Sequence, residues 1–408
     1  IQKLRPGLKQ LSILKRENSK LVGIVLFKLA FKNLFRYPVR SLLTMVGVAV
    51  AILSFGILST VVDSWYAGAE GASSARLIVR SSVSLMFPLP LPYRDRIKQV
   101  EGVQNISWAR WFGGIYKEPK NFFPQFAIDP RSYLDMYPEY VVSNEEKQLF
   151  IKDKRSVLIG RKIADEHKLK PGDSMTLKGQ IFPGNWDFVI AGIYEGKTKG
   201  TDTAQLFFHW DYLNEEIRKR GISRDKEAVG VFIVEVDDID KVGNIAKSID
   251  DVFANSPKET RSETEKAFQL GFVAMTEAIV VAIRLVSYVV IIIIMLVMAN
   301  TMIMTARERV WEYATLRSIG FGKYFLSGLI TSESCLLALF GGTAGIALTF
   351  PAAEMFRTFT GTLFPVFEIS NTTIIMQVLL SLLTGAFAAI FPAWKANTVN
   401  IVGALRAS

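Results

Sequence analysis

Glu308 and Glu312 stand four residues apart in the charged segment Arg307–Gly320, which lies between two long apolar runs. A helix there puts both carboxylates on one face, where like charges cost an isolated helix about 0.2–0.5 kcal/mol. Arg309 relieves Glu312 in part. The remaining negative charge calls for cations from outside the segment, and a partner protein is the expected source; a solvated turn of mixed charge is the plainer alternative. Glu333 is the one acid within the third apolar run. A charge in hydrocarbon costs about 2.5–3.5 kcal/mol on insertion scales, so it is expected either near an interface or bonded to a neighbouring helix. With no second acid or histidine in the apolar runs, a proton relay is not expected. His167 and His209 have no cysteine or carboxylate pattern around them, so no metal site is expected. No Ser-His-Asp set, paired carboxylates or zinc spacing is present, and no catalytic site is expected. The chain has no G-x-x-x-x-G-K-[ST] either, so it has no such loop to cradle nucleotide phosphates.

The elements that carry these residues are four apolar runs, Ser41–Val62, Leu285–Thr305, Tyr324–Pro351 and Ile369–Trp394. Each is long enough for a hydrocarbon core of about 30 Å, which takes about 20 residues of helix. Half the residues are hydrophobic, and mean hydropathy is positive. These values suit a chain that is part membrane and part aqueous. The expected fold is therefore a membrane α-helical protein of four transmembrane helices, with a large α+β extracytoplasmic domain inserted between helices one and two.

The formal charge of +10 does not point to nucleic acid, because residues 64–275 hold 30 basic and 30 acidic residues. Residues 1–40 hold ten basic residues and one acid, Glu17. Arg307, Arg309, Arg317 and Lys323 follow the second run, and Lys395 and Arg406 follow the fourth. Basic residues beside spans mark the cytoplasmic side. That puts both termini and the 306–323 loop in the cytoplasm, and the large domain and the 352–368 loop outside. The first run is too long for a cleaved signal core and follows a basic stretch. Cys335, in the third run, is the single cysteine. The large domain therefore has no disulfides and must rely on its core, which leans toward a bacterial periplasm.

Residues 21–37 read as an amphipathic helix. Lys28, Lys32, Arg36 and Arg40 recur every four residues beside Phe27, Phe31 and Phe35, as suits a helix lying in the membrane interface. Pro38 ends it; simple continuation of the first span is the alternative. In the large domain, Arg76–Ser84, Ser156–Ile159, Met175–Leu177, Trp186–Ile193, Leu206–Trp210 and Val229–Val236 read as strands. Gly160–His167 and Ile239–Phe253 read as helices. Leu85, Phe87, Leu89 and Leu91 alternate with Pro88, Pro90 and Pro92, as either an exposed hook or an extended segment packed in the core. From Glu263 the pattern turns helical and predicts one unbroken stalk into span two, with Arg284 as a snorkelling anchor.

Several motifs then coincide. The loop Arg307-Glu-Arg-Val-Trp-Glu-Tyr-Ala-Thr-Leu-Arg-Ser-Ile-Gly320 resembles E-R-x-x-E-x-x-x-L-R-x-I-G of the FtsX-like and MacB-like ABC transporter permeases. The tail from Pro392 to Arg406 resembles their closing motif, with Asn400 where the family has proline. Glu333, the Gly341-Gly-Thr-Ala-Gly345 run and the stretch Ala30–Gly47 also fit. The segment Val157-Leu-Ile-Gly-Arg-Lys-Ile-Ala-Asp-Glu-His-Lys-Leu-Lys-Pro-Gly-Asp173, followed by Phe188–Tyr194, resembles the MacB-type periplasmic core domain. The resemblance covers nearly the whole chain in order. The Leu326-Ser-Gly328 echo of an ABC signature lies in a span and is attributed to chance.

The resemblance implies a permease of the mechanotransmission type. Two copies, or one copy and a paralogue, pair with a dimer of a separate ABC ATPase subunit, which binds the ATP and Mg; this chain carries no cofactor itself. Arg307, Glu308, Arg309, Glu312, Leu316, Arg317 and Gly320 would form the ATPase-coupling loop. Work would be delivered outside the membrane, as lipoprotein or lipid extraction or as tripartite efflux. A periplasmic adaptor or a lipoprotein or lipid acceptor is the implied further partner, alongside membrane lipid. The implied division is 1–40 cytoplasmic with the elbow helix, 41–63 helix one, 64–268 periplasmic core, 269–305 stalk and helix two, and 306–323 coupling loop. Helix three is 324–351, a periplasmic loop 352–368, helix four 369–394, and the tail 395–408. The expected place is the bacterial inner membrane. A membrane scaffold or sensor that regulates a cell-envelope hydrolase is the alternative function. An ion-coupled transporter is disfavoured by the lack of intramembrane charge and of inverted repeats.

Overall fold

The computed structural model describes residues 28–397 except 120, 199, 222–226, 319–320, 361–363 and 365, and leaves out the side chains of 68–70, 360, 396 and 397. Expectations about the basic N-terminus before residue 28, about Gly320 and about the tail beyond residue 397 lie outside the described residues. The chain divides into two compact units. One comprises residues up to Val62, Ile279–Phe356 and residues from Glu368; the other comprises Asp63–Ala278 and Arg357–Phe367.

Among the described residues of the first unit, four helices are long and apolar enough to cross a membrane: Pro38–Ala67, Glu277–Glu308, Lys323–Phe359 and Asn371–Lys395. A shorter helix, 28–34, precedes them, and Pro38 opens the first long helix. Proline suits that position, where its missing N–H would have no partner in any case. The third helix does not stop at Pro351 but runs on to Thr360. One proline removes a single helical hydrogen bond, and Ala352-Ala-Glu-Met355 after it are strong helix formers.

The four helices pack through small residues and through hydroxyls aimed at backbone. A Cβ added at Gly341 would lie 2.7 Å from the Met45 carbonyl oxygen, and one at Gly345 would lie 2.6 Å from that of Ala49. Only glycine permits so close an approach of the first and third helices. Ser334 donates to the Gly385 carbonyl at 2.8 Å and Ser381 to the Ala338 carbonyl at 2.6 Å. The buried Gln377 amide donates at 2.9 Å to both the Ile52 carbonyl and the Thr349 hydroxyl. These donors serve the packing: most reach backbone carbonyls, and Gln377 also reaches the Thr349 hydroxyl.

In the second unit, eleven strands among the described residues join one mixed sheet. Thr260–Thr264 and Arg76–Ser81 lie at one edge, followed by Val231–Val236, Val103–Trp111, Gln125–Ile128 and Leu206–His209. Ser156–Gly160, Gly184–Gly196, Ser174–Gly179 and Gly114–Tyr116 complete the order, with Tyr140–Val141 on the side. Alternate residues of a strand point to opposite faces, and here both faces are covered. Leu77, Val79, Val157, Ile159, Phe208, Phe232 and Val234 enter one core with helices Arg161–His167, Trp210–Lys219 and Val242–Phe253. Ile78, Leu158, Phe207 and Ile233 enter the other, with Tyr133, Tyr137 and Phe150. The near-continuous apolar runs of these strands reflect that double burial.

The stalk is not one helix. Thr260–Thr264 is an edge strand, and Glu265–Met275 is a helix capped by the Thr264 hydroxyl, which accepts from the Ala267 N–H. Thr276 interrupts it at φ −112°, ψ 11°, and the next helix starts at Glu277. The apolar pattern continues across the break, so the sequence hides it. The Thr276 hydroxyl accepts from the Trp65 indole at 2.7 Å and donates to the Val273 carbonyl at 3.0 Å. These bonds occupy a side chain that prefers to compete with helix. The loop before the fourth helix also belongs to this unit: Phe364 packs edge-on to Trp65 at 5.4 Å, and its carbonyl accepts from Lys162 Nζ at 2.7 Å.

Gly160 explains part of the Val157–Asp173 motif. A Cβ there would fall 1.9 Å from the Thr203 carbonyl oxygen. The Gly160 N–H donates to Gln205 O and the Lys162 N–H to Thr203 O. Gly160→Ala must push the 203–205 segment away and is expected to cost about 1–3 kcal/mol, as overpacking does. Urea unfolding of a 63–278 fragment measures this; an unchanged midpoint would show that the segment yields freely.

His209 is 2 % exposed, and its Nε2–H donates to the Phe150 carbonyl at 2.6 Å. Burial pushes its pKa down, as burial also does for His167, which stacks edge-on to Tyr116 at 5.0 Å. A lowered folded pKa means the unfolded chain binds more protons. Stability from these two groups is then complete above the free imidazole value of about 6.5 and is lost as pH falls through it toward the folded values. The fragment's melting temperature is expected to fall between about pH 7.5 and about pH 5.5, with a shallower slope in His209→Gln. A flat profile in the parent fragment would refute the assignment.

Candidate functional site

The segment after the second long helix is itself helical. Glu277–Glu308 is followed by Val310–Ser318, and helical bonding passes through Arg309: its N–H donates to Thr305 O at 3.2 Å, and its carbonyl accepts from the Tyr313 N–H at 3.1 Å. Arg309 therefore projects from a helix, and it points inward. Arg309 and Glu333 are 5 % and 6 % exposed. Arg309 Nη1 donates to Glu333 Oε2 at 2.9 Å, and its Nε donates to Glu312 Oε2 at 3.0 Å. Asn33 Nδ2 donates to the same Glu333 oxygen at 3.3 Å. Arg309 also lies over the buried Tyr313 ring, 5.6 Å from its centroid.

The other two carboxylates are paired as well. Arg40 grips Glu308 with two bonds of 2.8 Å and reaches the Thr305 hydroxyl at 3.2 Å. Arg36 meets Glu312 at 2.6 Å. Three arginines thus balance three glutamates, and they join five elements: the turn after the 28–34 helix, the start of the first long helix, the end of the second at Glu308, the 309–318 segment and the first third of the third long helix.

This corrects the charge argument made from sequence. The cations that relieve Glu308 and Glu312 come from Arg36 and Arg40 of this same chain, and no partner protein is needed to supply them. A signal was present: Arg36 and Arg40 are four residues apart, as are Glu308 and Glu312, so two pairs of opposite sign and equal spacing match in antiparallel order. The Arg309–Glu333 pair, 24 residues apart in sequence, carries no local signal. Glu333 bonds to a neighbouring segment, and its nearest groups are Arg309 and Asn33.

The remaining expected residues are dispersed. Arg307 is exposed, Leu316 packs partly against the core of the helices, and Arg317 is half-buried. Gly320 lies outside the described residues. Trp311, which the sequence reading did not single out, is 53 % exposed on the 310–318 helix.

The proline-punctuated stretch in the large domain is split. Leu85 and Phe87 are exposed, together with Val83 and Met86. Leu89 is fully buried, and Leu91 packs against the domain core. The exposed hook therefore excludes Leu89 and Leu91. Their burial has a cause: Leu89–Pro90 pairs antiparallel with Ala228–Val229, which pins the segment to the domain. Among the described residues no group of three or more His, Cys, Asp or Glu side chains is placed to hold a metal ion.

Two family models match the chain, the MacB-like periplasmic core domain over residues 41–252 and the FtsX-like permease C-terminal region over 284–401. An uncharacterized ABC transporter permease of Methanocaldococcus jannaschii is 24 % identical over 418 aligned positions, which cover 96 % of this chain and 99 % of that one. Among solved structures, the extracellular domain of the noncanonic ABC-type transporter YknZ from Gram-positive bacteria matches with TM-score 0.34 and 13 % identity. It covers 46 % of this chain and 98 % of that one. A domain of a putative permease protein from Porphyromonas gingivalis matches with TM-score 0.32 and 14 % identity, over 46 % and 88 % of the two chains.

Proposed function

This chain belongs to the FtsX-like and MacB-like ABC transporter permeases, and we propose that it turns ATP hydrolysis on a separate ATPase subunit into movement of its large domain. ATP and Mg would be bound by that subunit. The observation that carries the reading is the ion-pair cluster around Arg309. A displacement of the 308–318 stretch is passed by charge-assisted hydrogen bonds, the stronger kind, from Glu312 to the 35–37 turn through Arg36, from Glu308 at the end of the second long helix to the first through Arg40, and from Arg309 to the third through Glu333. A segment held this way moves its helices instead of bending alone.

On this reading the ATPase docks where Trp311 of the 310–318 helix and Arg307 at the end of the second long helix are exposed, and not on the paired glutamates. The ATPase side of the membrane is the cytoplasm, and the large domain faces the opposite side, in a bacterium the periplasm. The mechanical work there is extraction of a lipoprotein or lipid, or efflux with an adaptor, by a pair of permeases. The Ser334 and Ser381 hydroxyls bonded to backbone, and the Gln377 amide bonded between helices, support packed spans over a polar path through them.

The test separates docking from folding. Trp311→Ala with Arg307→Glu is expected to weaken ATPase association at least about tenfold, as loss of an exposed aromatic anchor does. The permease alone should keep its melting temperature, because both side chains are exposed. Full complex formation and full nucleotide-dependent movement in this variant would sink the docking assignment. Movement itself is read by spin labels at the exposed Lys266, since the neighbouring Glu265 is buried in an ion pair.

A further inference from the structure

A recess of about 560 Å³ opens between the turn at residues 35–37, the start of the first long helix and the end of the second. Arg36, Tyr37, Arg40, Leu43, Val297 and Thr301 line it. From this lining we infer that the recess binds one anionic glycerophospholipid, with the phosphate at Arg36 and an acyl chain along Leu43 and Val297.

The recess has a polar end and an apolar end, set in that order by the two helices. Leu43 lies three residues further along the first long helix than Arg40, and Val297 lies four residues back from Thr301 on the second. The first helix runs into the apolar zone as numbering rises, and the second leaves it. Leu43 and Val297 are therefore both one turn deeper than Arg40 and Thr301. Both are more than half exposed, at 66 % and 52 %. The aromatic side chains Phe31, on the adjoining 28–34 helix, and Phe35, at the start of the turn, are exposed, which places that level at an interface between water and hydrocarbon.

Charge favours an anion there. Glu308 and Glu312 are held by Arg40 and Arg36, while Lys28, Lys32 and Arg307 nearby are exposed. Arg36 is 47 % exposed at its side chain, meets Glu312 through Nη1 and lines the recess. A guanidinium fork suits a phosphate diester. Basic recesses between spans are suited to anionic head groups for the same reason, and each basic side chain there adds about fivefold to binding.

The experiment uses the purified full chain, stripped of lipid in detergent, with melting temperature as the readout. Short-chain phosphatidylglycerol, short-chain phosphatidylcholine and inorganic phosphate are the three probes. Phosphatidylglycerol is expected to protect at a concentration at least about fivefold lower than phosphatidylcholine, and phosphate alone is expected to give no protection. Val297→Trp fills the apolar end without touching an ion pair, and Arg36→Gln removes a cation. Each should weaken phosphatidylglycerol protection at least about fivefold. Equal protection by both lipids would overturn the inference. Equal protection by phosphate would assign a free-anion site instead. Undiminished protection in both variants would place the lipid elsewhere.

Discussion

Replacing Arg309 with alanine is expected to destabilise the permease by about 3–5 kcal/mol, the usual loss when one member of a buried ion pair is removed. The variant leaves Glu333 buried with only Asn33 at 3.3 Å, and leaves Glu312 with Arg36 alone. Thermal inactivation in detergent and yield of monodisperse protein are the measurements. The control is Arg309→Met with Glu333→Met, which removes both charges and keeps the volume. Much of the loss should return in that double variant, because the penalty arises from the orphaned carboxylate more than from the missing attraction. An Arg309→Ala protein as stable as the parent would mean that water reaches the pair. A double variant no better than the single would mean that Arg309 acts through packing on Tyr313.

Arg76→Met is expected to have a similar effect in the large domain. Arg76 is 7 % exposed. Its Nε donates to Glu265 at 2.7 Å, Nη1 donates to the Met136 carbonyl at 2.9 Å, and Nη2 pairs with Glu139. The guanidinium lies over Tyr137 at 4.2 Å. Methionine leaves two carboxylates without their cation, one of them buried, and the cost should again be about 3–5 kcal/mol. Arg76→Lys should recover only part, since an ammonium cannot replace a fork that serves three acceptors. Urea unfolding of the 63–278 fragment reads both. Glu265 opens the helix that leads toward the second span, so the full-length variant should also lose nucleotide-dependent movement at Lys266 before it loses its fold. Movement retained at parental amplitude would separate Arg76 from transmission.

The four spans were legible because hydrocarbon imposes length and apolarity on each segment separately, without reference to its neighbours. The strands were legible for a related reason: Val157-Leu-Ile159 and Leu206-Phe-Phe208 are apolar at every position because both faces of the sheet are buried. What the sequence concealed depends on side chains distant in the chain. Thr276 reads as a tolerable residue in an apolar helix, and only the indole of Trp65, 211 residues away, reveals the break. The charged loop reads as a docking surface until Arg36 and Arg40 are seen beside it. The charge argument looked for the glutamates' cations in a partner, while Arg36 and Arg40 of the same chain supply them. Leu89 and Leu91 could be read either as part of a hook or as packed in the core, because proline alternation looks the same whether or not the segment pairs with another strand.

The seating of Gly341 and Gly345 on the Met45 and Ala49 carbonyls has a consequence for how the protein meets its bilayer. The third long helix spans 37 residues, or roughly 55 Å of axis at 1.5 Å per residue, far more than a hydrocarbon core of about 30 Å. Such an excess is relieved by tilt or by emergence from the membrane. With no side chain between the first and third helices at those two seats, neither can tilt without carrying the other. A thinner or thicker bilayer is then felt by the pair as one body. The balance of lipid thickness around this protein sets the inclination of the same two helices that Arg40 and Glu333 connect to the charged loop.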